Sequence, residues 1–215
     1  MPLGLGISLG KVITVGVTGA SGAILARTAL RLLESDERVS RVHLVVTEAG
    51  QRLLAQELGV NPADAKQIPA LLSGTRASKI ELLANRDIGA SIASGSYSVD
   101  AMIVIPCSAS TLASIANGAS DDLLARAADV CLKERRLLLL CLRETPLSRV
   151  HLQNMLRAQE AGAVVMPVVP AFYFSPQTID DLVEQFVCRA LAQLGLSQEQ
   201  QFRWEGGAKS RAREA

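Results

Sequence analysis

Short apolar, β-branched runs alternate along the chain with longer stretches whose apolar residues recur at helical spacing. The short runs predict buried strands at 11–17, 41–47, 79–83, 101–106, 136–142 and 163–166. The helical patterns lie at 21–33, 49–58, after 108, and at 121–134, 148–161 and 178–194, while 60–78 predicts loops with a short helix. Because strands alternate with helices, the pattern predicts an α/β fold whose doubly wound parallel sheet is covered on both faces.

The length of 215 residues fits a single domain with a substantial core. We expect a flexible N-terminus at 1–10, the domain at 11–196, and a polar C-terminal tail at 197–215. The first residues lack the charged start and apolar run of a signal peptide, and no apolar run reaches the roughly 18 residues of a membrane span. The sequence therefore predicts a soluble cytoplasmic protein that does not bind membranes.

Composition narrows the possible functions further. The 22 Lys and Arg residues nearly balance 21 Asp and Glu residues, and only 3% of residues are aromatic, so nucleic-acid binding is not expected. There is no CxxC or HExxH pattern, which argues against a zinc site. The four cysteines lie in apolar or helical stretches and are expected to be buried free thiols: Cys107, Cys131, Cys141 and Cys188.

The first strand ends in a glycine-rich turn, GVTGASG, that leads directly into a helix. Gly16, Gly19 and Gly22 permit a tight turn, and the helix start offers free N–H groups to a phosphate. The spacing is not GxGxxG, so a nicotinamide dinucleotide is not specifically indicated. An ordinary strand-to-helix turn is the alternative.

A second set of small polar residues, Ser108 to Thr111, follows the strand at 101–106. These residues would bond a phosphate or a ring edge, or simply cap the next helix. In a doubly wound sheet the carboxyl ends of the strands converge on one crevice, so this set and the glycine turn favour a ligand site together. The loop with Ser94 and Gly95 would lie against a flat ligand or form a plain turn.

Charged and phenolic residues are placed near the same crevice. Arg126 and Lys133 lie about two helical turns apart and can reach one anion, although a solvated helix face would also explain them. Glu144 follows the most apolar strand, a position suited to proton transfer. Tyr173 follows the last strand and brings a phenol to this rim.

Together these motifs resemble the UbiX-type flavin prenyltransferases, formerly described as aromatic-acid decarboxylases. The resemblance rests on GVTGASG, ASGSY, PCSASTLASIANG, RAADVCLKERR, RETPLSRVHLQNM and PAFY, and it covers roughly residues 11–195. It implies a flavodoxin-like Rossmann fold and a metal-independent transfer of the dimethylallyl group of dimethylallyl monophosphate to N5 and C6 of reduced FMN. It also implies that the product, prenylated FMN, serves UbiD-type decarboxylases in ubiquinone synthesis or aromatic-acid breakdown, and that the chain forms a homo-oligomer, expected to be a dodecamer.

The resemblance also assigns roles to individual residues. Lys133, Tyr173 and Arg189 match residues that hold the prenyl phosphate, and Glu57 and Glu144 match acidic residues that move protons during ring closure. The implied catalytic set is Ser21, Glu57, Lys133, Glu144 and Trp204, with Ser21 near flavin N5. The implied FMN-binding set is Gly19, Ala20, Ser21, Thr47, Ser94, Gly95, Ser108, Ala109, Ser110, Thr111 and Arg126. Thr47 stands where the family commonly has Ser.

Other interpretations remain open from the sequence. Trp204 is either an incidental aromatic of the tail or part of a tail that covers the prenyl site. An FMN-dependent decarboxylase acting on a cysteine conjugate would need a His base in the helix after the second strand, and residues 48–60 contain none. A non-catalytic FMN-binding subunit would have no need for Glu57, Lys133, Glu144, Tyr173 and Arg189 together. The sequence leaves open whether the donor is a monophosphate or a diphosphate.

Overall fold

A single sheet of six parallel strands forms the centre of the computed structural model, which describes residues 10–61 and 67–203. The strand order is β3-β2-β1-β4-β5-β6, so the winding direction reverses between β1 and β4. The strands are β1 (Lys11–Val17), β2 (Val39–Val46), β3 (Ile80–Ala84), β4 (Ala101–Cys107), β5 (Leu137–Leu142) and β6 (Val164–Val165). Crevices at such a reversal are the usual ligand sites of open α/β sheets.

Helices cover both faces of this sheet. Their bounds are α1 (Ala23–Ser35), α2 (Glu48–Leu58), α3 (Ile68–Ser73), α4 (Ala109–Ala116), α5 (Leu123–Lys133), α6 (Arg149–Glu160) and α7 (Ile179–Gln193), with a short 3-10 turn at Ser91–Ala93. One core lies between the sheet and α1, α3 and α7, and the other lies under α4, α5 and α6. The predicted doubly wound α/β fold of flavodoxin-like Rossmann type is therefore confirmed.

Burial on both faces explains why the strands are apolar throughout instead of alternating. In β5, Leu139 and Cys141 belong to the first core, whereas Leu138 and Leu140 belong to the second. Continuous apolar strands are typical of parallel sheets that are covered on both sides. The hydrophobic pattern therefore located the strands well, and only β6, at two residues, is much shorter than its apolar run suggested.

All four cysteines are buried free thiols, as predicted. Burial raises the pKa of Cys107 to about 12 and that of Cys131 to about 11, so these thiols are poor nucleophiles. Within residues 10–61 and 67–203, no group of three His, Cys, Asp or Glu side chains is arranged to hold a metal ion. No helix in that part of the chain has the length and apolar character needed to cross a membrane.

Candidate active site

The carboxyl ends of β1, β4 and β5 are tied into one rim by hydrogen bonds. The Thr18 hydroxyl donates to the carbonyl of Pro106 at 2.8 Å and accepts from the N–H of Ser108 at 2.8 Å. The N–H of Arg143 donates to the carbonyl of Cys107 at 2.9 Å. The glycine turn, the Ser108–Thr111 set and Glu144 therefore lie along one edge of the sheet, as the sequence predicted.

The glycines of the first turn serve different purposes. A Cβ atom at Gly19 would lie 2.5 Å from the Cβ of Ala49, and one at Gly16 would lie 2.9 Å from Leu124, so both positions allow close helix packing. Gly22 has φ of 118°, a left-handed conformation that side chains disfavour. The sequence predicted that these glycines let a ligand come close to the backbone. In the structure, Gly16 and Gly19 let neighbouring helices pack closely against β1 and the turn that follows it.

Glu57 caps the start of α1 from the neighbouring helix α2. Gly22, the N-cap residue of α1, has no side chain, and the Glu57 carboxylate accepts from the N–H groups of Gly22 at 3.0 Å and Ala23 at 2.7 Å. Burial alone would raise the pKa of Glu57, but the Ser21 hydroxyl, these two N–H groups and the charge of Arg143 lower it overall. Ser21 and Glu57, which the family resemblance assigns to one site, are thus in contact.

The hydroxyl residues at the rim are both helix caps and candidate ligand groups. The Ser108 side chain accepts from the N–H of Thr111 at 3.2 Å, and Thr47 caps α2 by accepting from the N–H of Gly50 at 3.0 Å. The capping alternative is therefore correct for the Ser108–Thr111 set, and Thr47 is also a helix cap, which was not predicted. Capping does not compete with ligand binding, because the start of α4 still directs its first N–H groups, including those of Ala109 and Ser110, toward the rim.

The loop of Ser94 and Gly95 packs against the end of α5. The Arg126 side chain donates to the carbonyl of Ala93 at 3.2 Å and forms an ion pair with Asp129 at 2.6 Å. A Cβ atom at Gly95 would lie 2.1 Å from a Glu134 carboxylate oxygen and 2.6 Å from the Lys133 ammonium, so the ends of both side chains lie against the loop at Gly95. Lys133 is also paired with Glu134. Arg126, Lys133 and this loop form one cluster.

Glu144 is half-buried just beyond β5 and accepts the N–H of Thr145 at 3.0 Å. Its neighbour Arg143 is near enough to Glu57 for the guanidinium to lower the pKa of that carboxyl. The end of β5 therefore faces the start of α1, and two carboxylates with different surroundings border the same crevice.

Tyr173 and Arg189 line a second cavity of about 330 Å³ beyond β6. Phe174 and Phe202 complete an aromatic wall, with ring centroids of Phe202 lying 5.4 Å from Tyr173 and 6.0 Å from Phe174. The Gln185 amide, on α7, donates to the carbonyl of Gln200 at 2.8 Å and its oxygen accepts the N–H of Phe202 at 2.7 Å. Aromatic walls and one guanidinium suit a small apolar group that carries a phosphate.

Within one chain three groups of the predicted site residues are each brought together. Ser21 is in contact with Glu57, the Ser94–Gly95 loop with Arg126 and Lys133, and Tyr173 shares a cavity with Arg189; Lys133 does not line that cavity. Trp204 lies outside the described residues. Sequence reasoning missed Gln185 and Phe202, because a helical amide and a tail aromatic carry no sequence pattern that links them across 17 residues.

The donors at the rim fit FMN. Backbone N–H groups at helix starts, the hydroxyls of Ser108 and Thr111 and the Arg126 guanidinium are the groups that bind phosphates and flavin ring edges. The fold and this rim define a flavoprotein, and a family model described as Flavoprotein matches residues 8–191.

Comparison with known proteins shows which flavoproteins this chain resembles. A flavin prenyltransferase UbiX from Halalkalibacterium halodurans is 45% identical over 89% of this chain and 92% of its own length. The crystal structure of AnUbiX (PadA1) in complex with FMN and dimethylallyl pyrophosphate has a TM-score of 0.82, is 41% identical, and covers 92% of this chain and 98% of its own. A dodecameric FMN-dependent UbiX-like decarboxylase from Escherichia coli O157:H7 has a TM-score of 0.81 and is 41% identical over 91% of this chain and 100% of its own. This chain belongs to the UbiX family of flavin prenyltransferases.

Proposed function

We propose that this chain transfers the dimethylallyl group of dimethylallyl monophosphate to reduced FMN and releases phosphate and prenylated FMN. The observation that carries the proposal is the pairing of two kinds of site in one fold. A rim of flavin-type donors lies at the sheet reversal, and an aromatic cavity with Arg189 suits an allylic phosphate. The relative solved with FMN and dimethylallyl pyrophosphate binds ligands of these two kinds.

Each cluster has a defined task in this proposal. When bound, reduced FMN supplies the nucleophilic ring atoms that take the dimethylallyl group. Arg189, Tyr173 and Lys133 hold the phosphate and stabilise its negative charge as the bond between the allylic carbon and the phosphate oxygen breaks. Glu144 accepts the proton that must leave the flavin carbon at which the new ring closes.

Glu57 and Ser21 hold the other side of the crevice. The Glu57 carboxylate is fixed by the N–H groups that begin α1 and orients the Ser21 hydroxyl toward the rim. Because hydrogen bonds hold its pKa down, Glu57 stays ionised and keeps the Ser21 proton directed to its own oxygen. A group bound at the turn can then pass a proton to the Ser21 oxygen while Ser21 passes its own proton to Glu57.

We also infer that the active form is a homo-oligomer, a dodecamer like the relative from Escherichia coli O157:H7. Lys133 and the cavity of Arg189 are separate within one chain, so a neighbouring copy would bring one of them to the other. Three apolar side chains of α6 are 53–60% exposed and suit such an interface: Val150, Leu152 and Leu156. A cytoplasmic location and a UbiD-type decarboxylase as recipient belong to the same proposal.

Reconstitution of the recipient tests the function. The protein is incubated without oxygen with reduced FMN and dimethylallyl monophosphate, and the small-molecule filtrate is added to a UbiD-type decarboxylase purified without its flavin. We expect decarboxylation only with the complete mixture. A parallel incubation with dimethylallyl diphosphate identifies the donor. A known UbiX, carried through the same steps in parallel, is the positive control. If its filtrate activates the decarboxylase and the filtrate of this chain does not, this chain is only an FMN-binding subunit.

A further inference from the structure

The loop that carries Ser94 and Gly95 is fixed by Arg136, which follows α5. The Arg136 guanidinium donates to the carbonyl of Gly95 at 2.7 Å and to the carbonyl of Tyr97 at 2.9 Å. The loop also has hydrogen bonds of its own, between the hydroxyls of Ser94 and Ser96 at 2.8 Å and from the N–H of Tyr97 to the carbonyl of Ser94 at 3.2 Å. Arg136 adds contacts from outside the loop, because its planar guanidinium holds two of the loop's backbone carbonyls.

The loop also contacts a buried histidine of the sheet. His43 lies on β2 with 1% of its surface exposed, and its Nε2 atom lies 2.8 Å from the hydroxyl of Tyr97. The two rings pack edge to face with centroids 5.4 Å apart. Tyr97 thus connects the loop to β2 of the sheet, while Arg136 connects it to the end of α5.

The imidazole has no other hydrogen bond among the described residues. Its Nδ1 atom forms none, although the Glu81 carboxylate on β3 lies 3.3 Å away. Burial lowers the pKa of His43, and the nearby Arg41 lowers it too, whereas Glu81 raises it. The ring is therefore neutral near pH 7. A buried neutral imidazole with one partner is a directional anchor, since losing that partner leaves a buried polar atom unpaired.

We propose that His43 and Tyr97 are positioning residues for flavin binding, acting together as a buried anchor that holds Ser94 and Gly95 against FMN. The inference rests on the proposed function, because it takes these loop residues to contact FMN. Lys133 crosses the same loop over Gly95, so the anchor also fixes the platform beneath the Lys133 ammonium. Neither residue touches the reacting atoms; both act through the loop.

Three single variants separate the hydrogen bond from the bulk of the side chains. Tyr97→Phe removes only the hydroxyl, and His43→Leu removes the ring partner. His43→Gln keeps an amide able to donate or accept toward Tyr97. We expect Tyr97→Phe and His43→Leu to raise the Kd for FMN about tenfold, the loss of one buried hydrogen bond, and His43→Gln to restore most of the affinity.

Hydrogen exchange of residues 93–97, measured without FMN, reports on the loop itself. Exchange should accelerate in Tyr97→Phe and His43→Leu and stay near wild type in His43→Gln. His151→Gln, which changes the other histidine of the chain in the capping box of α6, is the matched control and should alter neither exchange nor FMN affinity.

The double variant Tyr97→Phe/His43→Leu distinguishes positioning from stability. Replacing both polar partners by apolar groups should recover the melting temperature, whereas the Kd for FMN should stay about tenfold raised and no higher than in either single variant. An FMN affinity that recovers with the melting temperature, or unchanged exchange at 93–97 in Tyr97→Phe, would overturn the proposal. Failure of the wild type to bind FMN would instead refute the proposed function, while the exchange rates would still decide whether the anchor exists.

Discussion

The two halves of the crevice are built differently. On the β1–β2 side, the Glu57 carboxylate and the Ser21 and Thr47 hydroxyls all have partners within the chain. On the β5–β6 side, Glu144 accepts only its neighbour's N–H among the hydrogen bonds of the described residues, and Arg189 is exposed at the wall of a cavity. The first half is preorganised by the protein itself, whereas the second half presents groups to a ligand. We therefore expect substitutions in the first half to change stability and those in the second to change turnover.

The largest effect is expected at Glu144. Glu144→Gln preserves the shape and the hydrogen bond to Thr145 but removes the base that the proposal requires. Loss of a general base typically slows a reaction by about 10²–10⁴. Single-turnover formation of prenylated FMN should fall by that factor, while titration should show unchanged affinity for FMN. Wild-type rates in this variant would place the base in the other half, at Glu57.

Arg189→Ala removes the charge at the cavity of Tyr173. A charged hydrogen bond to phosphate is worth about 1.5–3 kcal/mol, so the KM for dimethylallyl monophosphate should rise roughly tenfold to a hundredfold. The Kd for FMN should not change. Arg52→Ala, which breaks only an exposed pair with Glu48, serves as the control and should leave both constants unaltered. If FMN affinity fell instead, the two ligand sites would be exchanged.

Glu57→Ala removes the cap of α1 and should lower the free energy of unfolding by about 0.5–2 kcal/mol, as measured by urea denaturation. Because the pKa of Glu57 is lowered in the folded protein, its contribution is present above its ordinary value of 4.5 and is lost as pH falls through the folded value. Glu57→Gln should therefore flatten the acid side of the stability profile. Gln56→Ala, one residue earlier on α2, is the control; an equal loss there would remove the capping role.

The smallest effect concerns the segment that closes the Arg189 cavity. Gln185→Ala removes the two hydrogen bonds that hold residues 200–202, so trypsin should cleave after Arg203 faster than in wild type. With the Phe202 wall loosened, the KM for dimethylallyl monophosphate should rise by about twofold to tenfold. Gln193→Ala, at the exposed end of α7, should do neither. Unchanged cleavage in Gln185→Ala would show that the aromatic contacts alone fix this segment.

The elements that short-range patterns specify were predictable, and the contacts between distant segments were not. Continuous apolar residues predict strands such as β5, and the glycine turn predicts where α1 begins. The pairing of Glu57 with the start of α1 spans 34 residues, and an exposed helical glutamate gives no sign of it. The role of Arg189 was predicted only from the family resemblance, because its position in the sequence pattern is typical of a surface charge. His43 and Tyr97 meet across 54 residues, through the register of β2 and the path of a loop.

The mass of the flavin shows directly whether this chain transfers the dimethylallyl group to FMN. The protein is incubated without oxygen with reduced FMN and dimethylallyl monophosphate, the flavin is released by denaturation, and its mass is compared with that of FMN carried through the same steps without the prenyl phosphate. We expect the mass to increase by one dimethylallyl group in place of one hydrogen, and Arg189→Ala to delay this increase when the prenyl phosphate is limiting. Bound FMN whose mass stays unchanged after many hours with saturating donor would contradict it.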